Sequence, residues 1–264
     1  MTEAATIERA EALMAQGEMG QALALTEGLV SGREPSHLAL AVHAGALKLA
    51  GRREEALAFD LQAIERFASS PIAWHNYAAT LEDLGRAAEA VAACEKAFIL
   101  RMDASQTFAL YARALRAAGN PERADYAYRQ SLLRTAGDPA VAAEYAEYIW
   151  MRRGDVAQAD AVLDAAFHAG GPPAPLLLAK AMLYEASGDG VRAADLLDAA
   201  VRSMPQDTRV LMAAMDTALR LKRIDDAERY VRLAEAAQPQ ARAVIQASAI
   251  LDLAQGRADV ALRK

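Results

Sequence analysis

A fixed spacing of small residues constrains this chain more than any other feature of its sequence. Eight alanines recur at intervals of 34 residues, with one interval of 35, and in seven of the eight cases a glycine stands five residues earlier. The alanines are Ala22, Ala56, Ala90, Ala124, Ala159, Ala193, Ala227 and Ala261, and the earlier positions are Gly17, Gly51, Gly85, Gly119, Gly154, Gly188, Lys222 and Gly256. Glycine readily ends a helix, and alanine lets two helices approach closely. The spacing therefore predicts a series of helix-turn-helix units.

The clearest unit is Pro71–Met102. Its first half carries an apolar stripe at helical spacing, made of Trp74, Tyr77, Ala78 and Leu81. Its second half carries small residues at intervals of four and three, namely Ala90, Cys94 and Ala97. The turn residue Gly85 lies between the two halves. We therefore expect two helices whose stripes face one another.

Measured from Trp74, the intervals to the other marked positions of this unit resemble those of the tetratricopeptide repeat family. The resemblance implies an all-α fold, a right-handed α-solenoid of helix-turn-helix repeats. It divides the chain, as a single array over 1–264, into repeats at about 3–36, 37–70, 71–104, 105–138, 140–173, 174–207 and 208–241, with a partial repeat at 242–264. In this alignment Pro139 is an extra residue, Glu147 stands where six units have alanine, and Trp150 takes the apolar core position of Leu81.

Composition and charge exclude several classes of protein. Hydrophobic residues make up 54% of the 264 residues and aromatic residues only 6%, which suits closely packed helices better than sheets. The formal net charge of −6 disfavours nucleic-acid binding, which needs a dense positive face. The single cysteine excludes a disulfide framework, no apolar run is long enough to cross a membrane, and no signal peptide is visible. We therefore expect a cytoplasmic protein that binds neither nucleic acid nor membrane.

No group of residues predicts catalysis, a cofactor or a metal site. The four histidines are scattered over three repeats, and no two of them stand four residues apart on one predicted helix, the spacing that chelates a metal. Cys94 falls in the stripe of a second helix, which indicates a buried small side chain rather than a nucleophile. Phosphate-binding glycine loops and nucleophile motifs are absent from the sequence. We therefore expect no catalysis by this chain.

The resemblance also implies which residues are available to a partner. In tetratricopeptide arrays the first helix of each repeat lines a concave groove, and positions two, five, nine, twelve and thirteen of that helix face it. Together with the adjoining position six, this rule predicts a partner-binding groove lined by His75, Asn76, Glu82, Asp83, Gln106, Arg113, Arg116, Glu144, Tyr148, Arg152, Arg209, Asp216 and Arg220.

Three arginines of this set favour a particular partner chemistry. Arg113, Arg116 and Arg152 could receive an acidic side chain or a free carboxylate through charge-assisted hydrogen bonds. We therefore expect a protein or peptide partner. The alternative interpretation is that charge on these helix faces serves solubility alone.

The end of the sequence leaves three classes of function open. The last repeat supplies a first helix and about half of a second one, which predicts a fragment of a longer protein or an end completed by self-association or another domain. The favoured function is a scaffold for protein–protein interaction. The alternative is the non-catalytic N-terminal array of an enzyme, such as a sulfotransferase, a glycosyltransferase or an oxygenase using iron and 2-oxoglutarate, with its catalytic domain beyond Lys264. The acidic balance disfavours the third class, helical-repeat RNA binding.

Overall fold

The computed structural model describes residues 2–32, 34–171 and 173–263, which form helices joined by short turns. The helices of this part of the chain are α1 (Glu3–Ala15), α2 (Met19–Val30), α3 (His37–Leu49), α4 (Arg53–Arg66), α5 (Pro71–Asp83), α6 (Ala87–Ile99), α7 (Ser105–Ala117), α8 (Pro121–Arg134), α9 (Pro139–Arg153), α10 (Val156–His168), α11 (Pro173–Ala186), α12 (Gly190–Ser203), α13 (Thr208–Arg220), α14 (Ile224–Ala237), α15 (Arg242–Ala254) and α16 (Ala258–Ala261). The prediction of an all-α fold built from helix-turn-helix repeats is confirmed.

The helices are grouped into two compact units. Unit 1 is Met1–Arg134 and contains α1 to α8, and unit 2 is Thr135–Lys264 and contains α9 to α16. The odd-numbered helices are the first helices of the repeats, and each packs against the second helix that follows it. Neighbouring first helices also contact one another, as α5 and α7 do in unit 1 and α9 and α11 do in unit 2. A single array over 1–264 stays a prediction.

Polar side chains cap the start of five first helices, namely α1, α3, α5, α9 and α13. The Ser36 hydroxyl accepts a hydrogen bond at 3.0 Å from a backbone N–H in the first turn of α3. The Asp207 carboxylate accepts one at 2.9 Å at the start of α13. At α9 the cap is Asp138, and Pro139 occupies the first turn, where its missing N–H costs nothing. Helix α9 therefore begins one residue before the predicted repeat boundary at 140.

The extra residue of the longer repeat lies inside α9. Ala146 is 2% exposed whereas Glu147 is exposed, so Ala146 occupies the small-residue position that the alignment gave to Glu147. Ile149 is likewise 1% exposed whereas Trp150 is half-buried, so the prediction that Trp150 lies in the core was wrong. The reason is helix length: α9 has 15 residues where α5 has 13, and the added length precedes Gly154. Counting back from that glycine therefore misplaces the buried stripe by one residue.

The alanines of the second helices are buried, as their spacing predicts. Seven of them have relative exposures of 0%, namely Ala22, Ala56, Ala90, Ala124, Ala159, Ala193 and Ala227. Ala261 in the short helix α16 is half-buried. A methyl group at these positions lets the two helices of a repeat pack without a gap between their axes.

The turn position of each repeat has a left-handed backbone conformation. Glycine supplies it in seven repeats, with φ values between 65° and 90°, and Lys222 supplies it in the eighth with φ of 59°. The Cβ atom of a residue other than glycine clashes with the following carbonyl in this conformation, at a cost of about 1–2 kcal/mol. Lys222 therefore weakens its turn.

We expect Lys222→Gly to raise the free energy of unfolding by about 1 kcal/mol, because the clash disappears while part of the gain is offset by the greater freedom of glycine in the unfolded chain. Urea denaturation measures this change. Gly85→Ala is the converse control: Gly85 has φ of 72° and open space around its missing Cβ, so the backbone conformation alone should make that variant less stable. A less stable Lys222→Gly variant would contradict the explanation.

Candidate functional site

The first helices of unit 1 carry a polar surface across α5 and α7. The Nδ1 atom of His75 on α5 lies 3.0 Å from the Thr107 hydroxyl on α7. The Nε atom of Arg113 on α7 donates a hydrogen bond to Oε1 of Glu82 on α5 at 3.3 Å. These two contacts join neighbouring first helices, so the polar faces of α5 and α7 are held together.

The other predicted residues of unit 1 lie on the same two helices. Asp83, Gln106 and Arg116 are exposed, and Asn76 is half-buried. We define the unit 1 surface as His75, Asn76, Glu82, Asp83, Gln106, Arg113 and Arg116. The structure thus places three of the predicted side chains in two separate contacts between α5 and α7, and three others are exposed to solvent.

The charges of two basic side chains act on His75. Burial lowers the pKa of the His75 imidazole, and the charges of Lys48 and Arg113 lower it further. The lowered pKa favours the neutral form of the ring at pH 7. Lys48 was absent from the predicted set although it occupies position twelve of the second repeat, one of the positions that the groove rule selects.

Unit 2 carries a pocket of about 390 Å³ between α11 and α13. The Arg220 guanidinium on one side donates a hydrogen bond to the Glu185 carboxylate on the other, and also to the Thr217 hydroxyl at 3.3 Å. Asp216 lines the same pocket. Burial raises the pKa of the Asp216 carboxyl, the Arg220 charge opposes that rise, and the Glu185 charge adds to it.

A second pocket of about 270 Å³ lies between α9 and α11. Glu144, Glu147 and Trp150 line it from α9. Met182, on α11, lines both pockets and is 62% exposed, so the two pockets adjoin each other on one face of unit 2. We define the unit 2 surface as Glu144, Glu147, Trp150, Met182, Glu185, Asp216 and Arg220.

Three predicted residues of unit 2 lie outside these pockets. Tyr148 is 6% exposed, because the shifted stripe of α9 turns it into the core rather than toward a groove. Arg209 pairs with Asp207 at 3.0 Å beside the start of α13. Arg152 is exposed in the last turn of α9.

The residues that the sequence prediction missed occupy groove positions of the repeat once α9 is numbered from its N-terminal cap. Counted from the cap Asp138, Glu147 and Trp150 occupy positions nine and twelve, which are groove positions. Met182 and Glu185 are at positions nine and twelve of the sixth repeat. For Glu147 and Trp150 the missing signal was the N-terminal cap of α9, since counting back from Gly154 places residues of this helix one position out.

The described part of the chain contains potential metal ligands and the single cysteine. Among them, no group of three or more His, Cys, Asp and Glu side chains is placed to hold a metal ion. Cys94 is buried, and burial raises the pKa of its thiol to about 12, which keeps the sulfur protonated. None of the described helices has the length and apolarity that crossing a bilayer requires.

No family model and no curated protein sequence matches the chain. Solved structures do match. PilF from Pseudomonas aeruginosa is 15% identical with a TM-score of 0.56, over 73% of this chain and 87% of the other. The C-terminal part of a TPR repeat-containing protein from Cytophaga hutchinsonii is 14% identical with a TM-score of 0.58, over 84% and 93%.

The Cut9–Hcn1 hetero-tetramer of the APC/C contains a chain 17% identical to this one, with a TM-score of 0.60 over 93% of this chain. The match spans about half of that longer chain, 48% of its length. Since these similarities extend over most of the sequence and agree with the repeated helical pairs and their buried alanines, the chain has the tetratricopeptide repeat fold.

Proposed function

We propose that this chain is a scaffold for protein–protein interaction, which binds a peptide or a segment of another protein on its first helices and performs no catalysis. The main support is that two pockets and two salt bridges lie between neighbouring first helices, at positions that the resemblance assigns to the groove. The bridges Glu82–Arg113 and Glu185–Arg220 join neighbouring first helices. Because these bridges hold the surface in place before binding, most of the conformational entropy lost on binding is lost by the bound segment.

Two further observations agree with this proposal. A chain of the Cut9–Hcn1 hetero-tetramer has a similar fold, so assembly with a partner protein is known for one chain of this fold. The single cysteine and its burial suit a reducing compartment, and we therefore place the protein in the cytoplasm.

On the unit 1 surface we propose that the partner presents an acidic side chain or a free carboxylate. Lys48 and Arg113 lie near enough to His75 for the charges of both to lower the pKa of its imidazole. Arg116 is exposed on the same helix as Arg113 and adds a further cation. A carboxylate placed there would gain charge-assisted hydrogen bonds.

We expect the double variant Arg113→Ala, Arg116→Ala to weaken binding of an acidic peptide by about 1–3 kcal/mol, because it removes two guanidinium donors and leaves Glu82 without its Arg113 hydrogen bond. Peptides selected on the chain from a random displayed library supply the ligand, and isothermal titration calorimetry measures the affinity. The matched control is Arg53→Ala, which removes an exposed arginine from the second helix α4. Equal affinities for the double variant and the control would reject the acidic partner.

A further inference from the structure

The unit 2 surface differs from the unit 1 surface in its charge. Four carboxylates line its two pockets, those of Glu144, Glu147, Glu185 and Asp216. Among the lining residues the basic side chain is Arg220, and its guanidinium is hydrogen-bonded to Glu185. Glu147 and Asp216 add negative charge to this surface, and this charge attracts a cationic group.

The pocket between α9 and α11 combines apolar and acidic groups, which together suit a lysine or arginine side chain. Trp150 and Met182 provide apolar walls against which an aliphatic stem can lie, and Glu147 is exposed at the same pocket. The indole ring also attracts a cation through its π face. A long basic side chain uses all three of these groups, whereas an acidic one would meet like charge.

The pocket between α11 and α13 also favours a basic side chain. Asp216 lines it together with apolar atoms of Ala181, Met182 and Leu197. Asp216 is exposed at this pocket, so its carboxylate is accessible to a cationic group of a ligand. Because Met182 is 62% exposed and lines both pockets, a ligand that reaches from one to the other must cross an apolar side chain.

We propose that the unit 2 surface binds a peptide segment in which basic side chains alternate with apolar ones, with a lysine or arginine side chain in the α9–α11 pocket. The apolar side chains of the segment cover Met182, and a second basic side chain reaches Asp216. This proposal rests on the proposed function, since it names the chemistry of a partner segment for one of the two surfaces.

Trp150 is a direct reporter for this binding. The chain has two tryptophans, so a Trp74→Phe background leaves the indole of Trp150 as the tryptophan signal. The full chain is titrated with a synthetic peptide of alternating lysine and leucine. Two matched peptides replace lysine by glutamate or leucine by serine. We expect saturable change of the Trp150 fluorescence with the lysine–leucine peptide, and weak or absent binding of the other two.

Substitution of one carboxylate in each pocket then tests the contribution of that pocket to binding. We expect Glu147→Gln and Asp216→Asn each to weaken the lysine–leucine peptide by about tenfold, because each removes a charge-assisted contact while nearly preserving shape. Glu228→Gln, on the second helix α14, is the control and should bind like the parent chain. Circular dichroism of each variant verifies that the fold is retained.

Three results would overturn this inference: equal binding of the glutamate–leucine peptide, unchanged affinity in both pocket variants, or concentration-dependent dimerisation in sedimentation that Glu147→Gln abolishes, since the last assigns the surface to a second copy of the chain. If library-selected peptides bind while the lysine–leucine peptide does not, this inference fails and the proposed function stands. If no peptide of any kind binds, both fail.

Discussion

Replacing Ala90 by leucine is expected to lower the free energy of unfolding by about 1–3 kcal/mol, because a larger side chain forced into a close-packed contact displaces its neighbours. Ala90 is 0% exposed on α6, which packs against α5. Seven repeats bury an alanine at this position, so a methyl group is what the spacing of the helices allows. Urea denaturation of the parent chain and the variant measures the difference.

A control on the same helix separates packing from helix propensity. Ala92 is exposed on α6, so Ala92→Leu adds the same atoms where nothing is displaced. We expect that variant to remain within about 0.5 kcal/mol of the parent chain. If both variants lose the same stability, close approach of the helices is not the reason for the recurring alanine.

Replacing Leu211 by alanine is expected to cost about 2–5 kcal/mol, the sum of lost burial and an unfilled cavity. Leu211 is 0% exposed and belongs to the core cluster of unit 2 that includes Leu197 and Tyr230. It lies on α13, the helix that carries Asp216 and Arg220. We therefore expect the variant also to bind the lysine–leucine peptide more weakly, since α13 loses part of the packing that positions its outer face.

Leu253→Ala is the matched control for this substitution. Leu253 is 57% exposed on α15, and its removal leaves no cavity in the core. Thermal and urea unfolding should therefore change little. A Leu211→Ala variant as stable as Leu253→Ala would mean that this core is able to collapse around the lost side chain.

The repeat architecture could be predicted from sequence because its determinants are local and periodic. Gly85 and Ala90 mark the turn and the close contact of one unit, and the other repeats preserve their spacing. The repeat positions of residues in α9 could not be assigned in the same way, because the added residue of this helix lies between its buried stripe and the turn. Only the cap at Asp138 fixes where that helix begins, and this is why Tyr148 and Trp150 were misplaced.

Contacts between particular side chains of neighbouring repeats could not be predicted from the sequence. The Thr80 hydroxyl donates a hydrogen bond to the buried Asp60 carboxylate at 2.5 Å, and neither residue belongs to an apolar stripe. The hydrogen bond between them satisfies both polar side chains, each of which would be costly to bury without a partner. The bridge between Glu185 and Arg220 similarly joins side chains 35 residues apart. Periodicity predicts that Glu185 and Arg220 lie on neighbouring first helices, but not that their side chains pair.

The central claim is that partners bind the first helices of the repeats. Hydrogen–deuterium exchange of the full chain, with and without a library-selected peptide, tests it most directly because it locates protection along the backbone. We predict that protection upon binding falls on odd-numbered helices, α5 and α7 for an acidic peptide and α9, α11 and α13 for a basic one. Protection confined to the even-numbered second helices, or no protection with a peptide that calorimetry shows to be bound, would contradict this account.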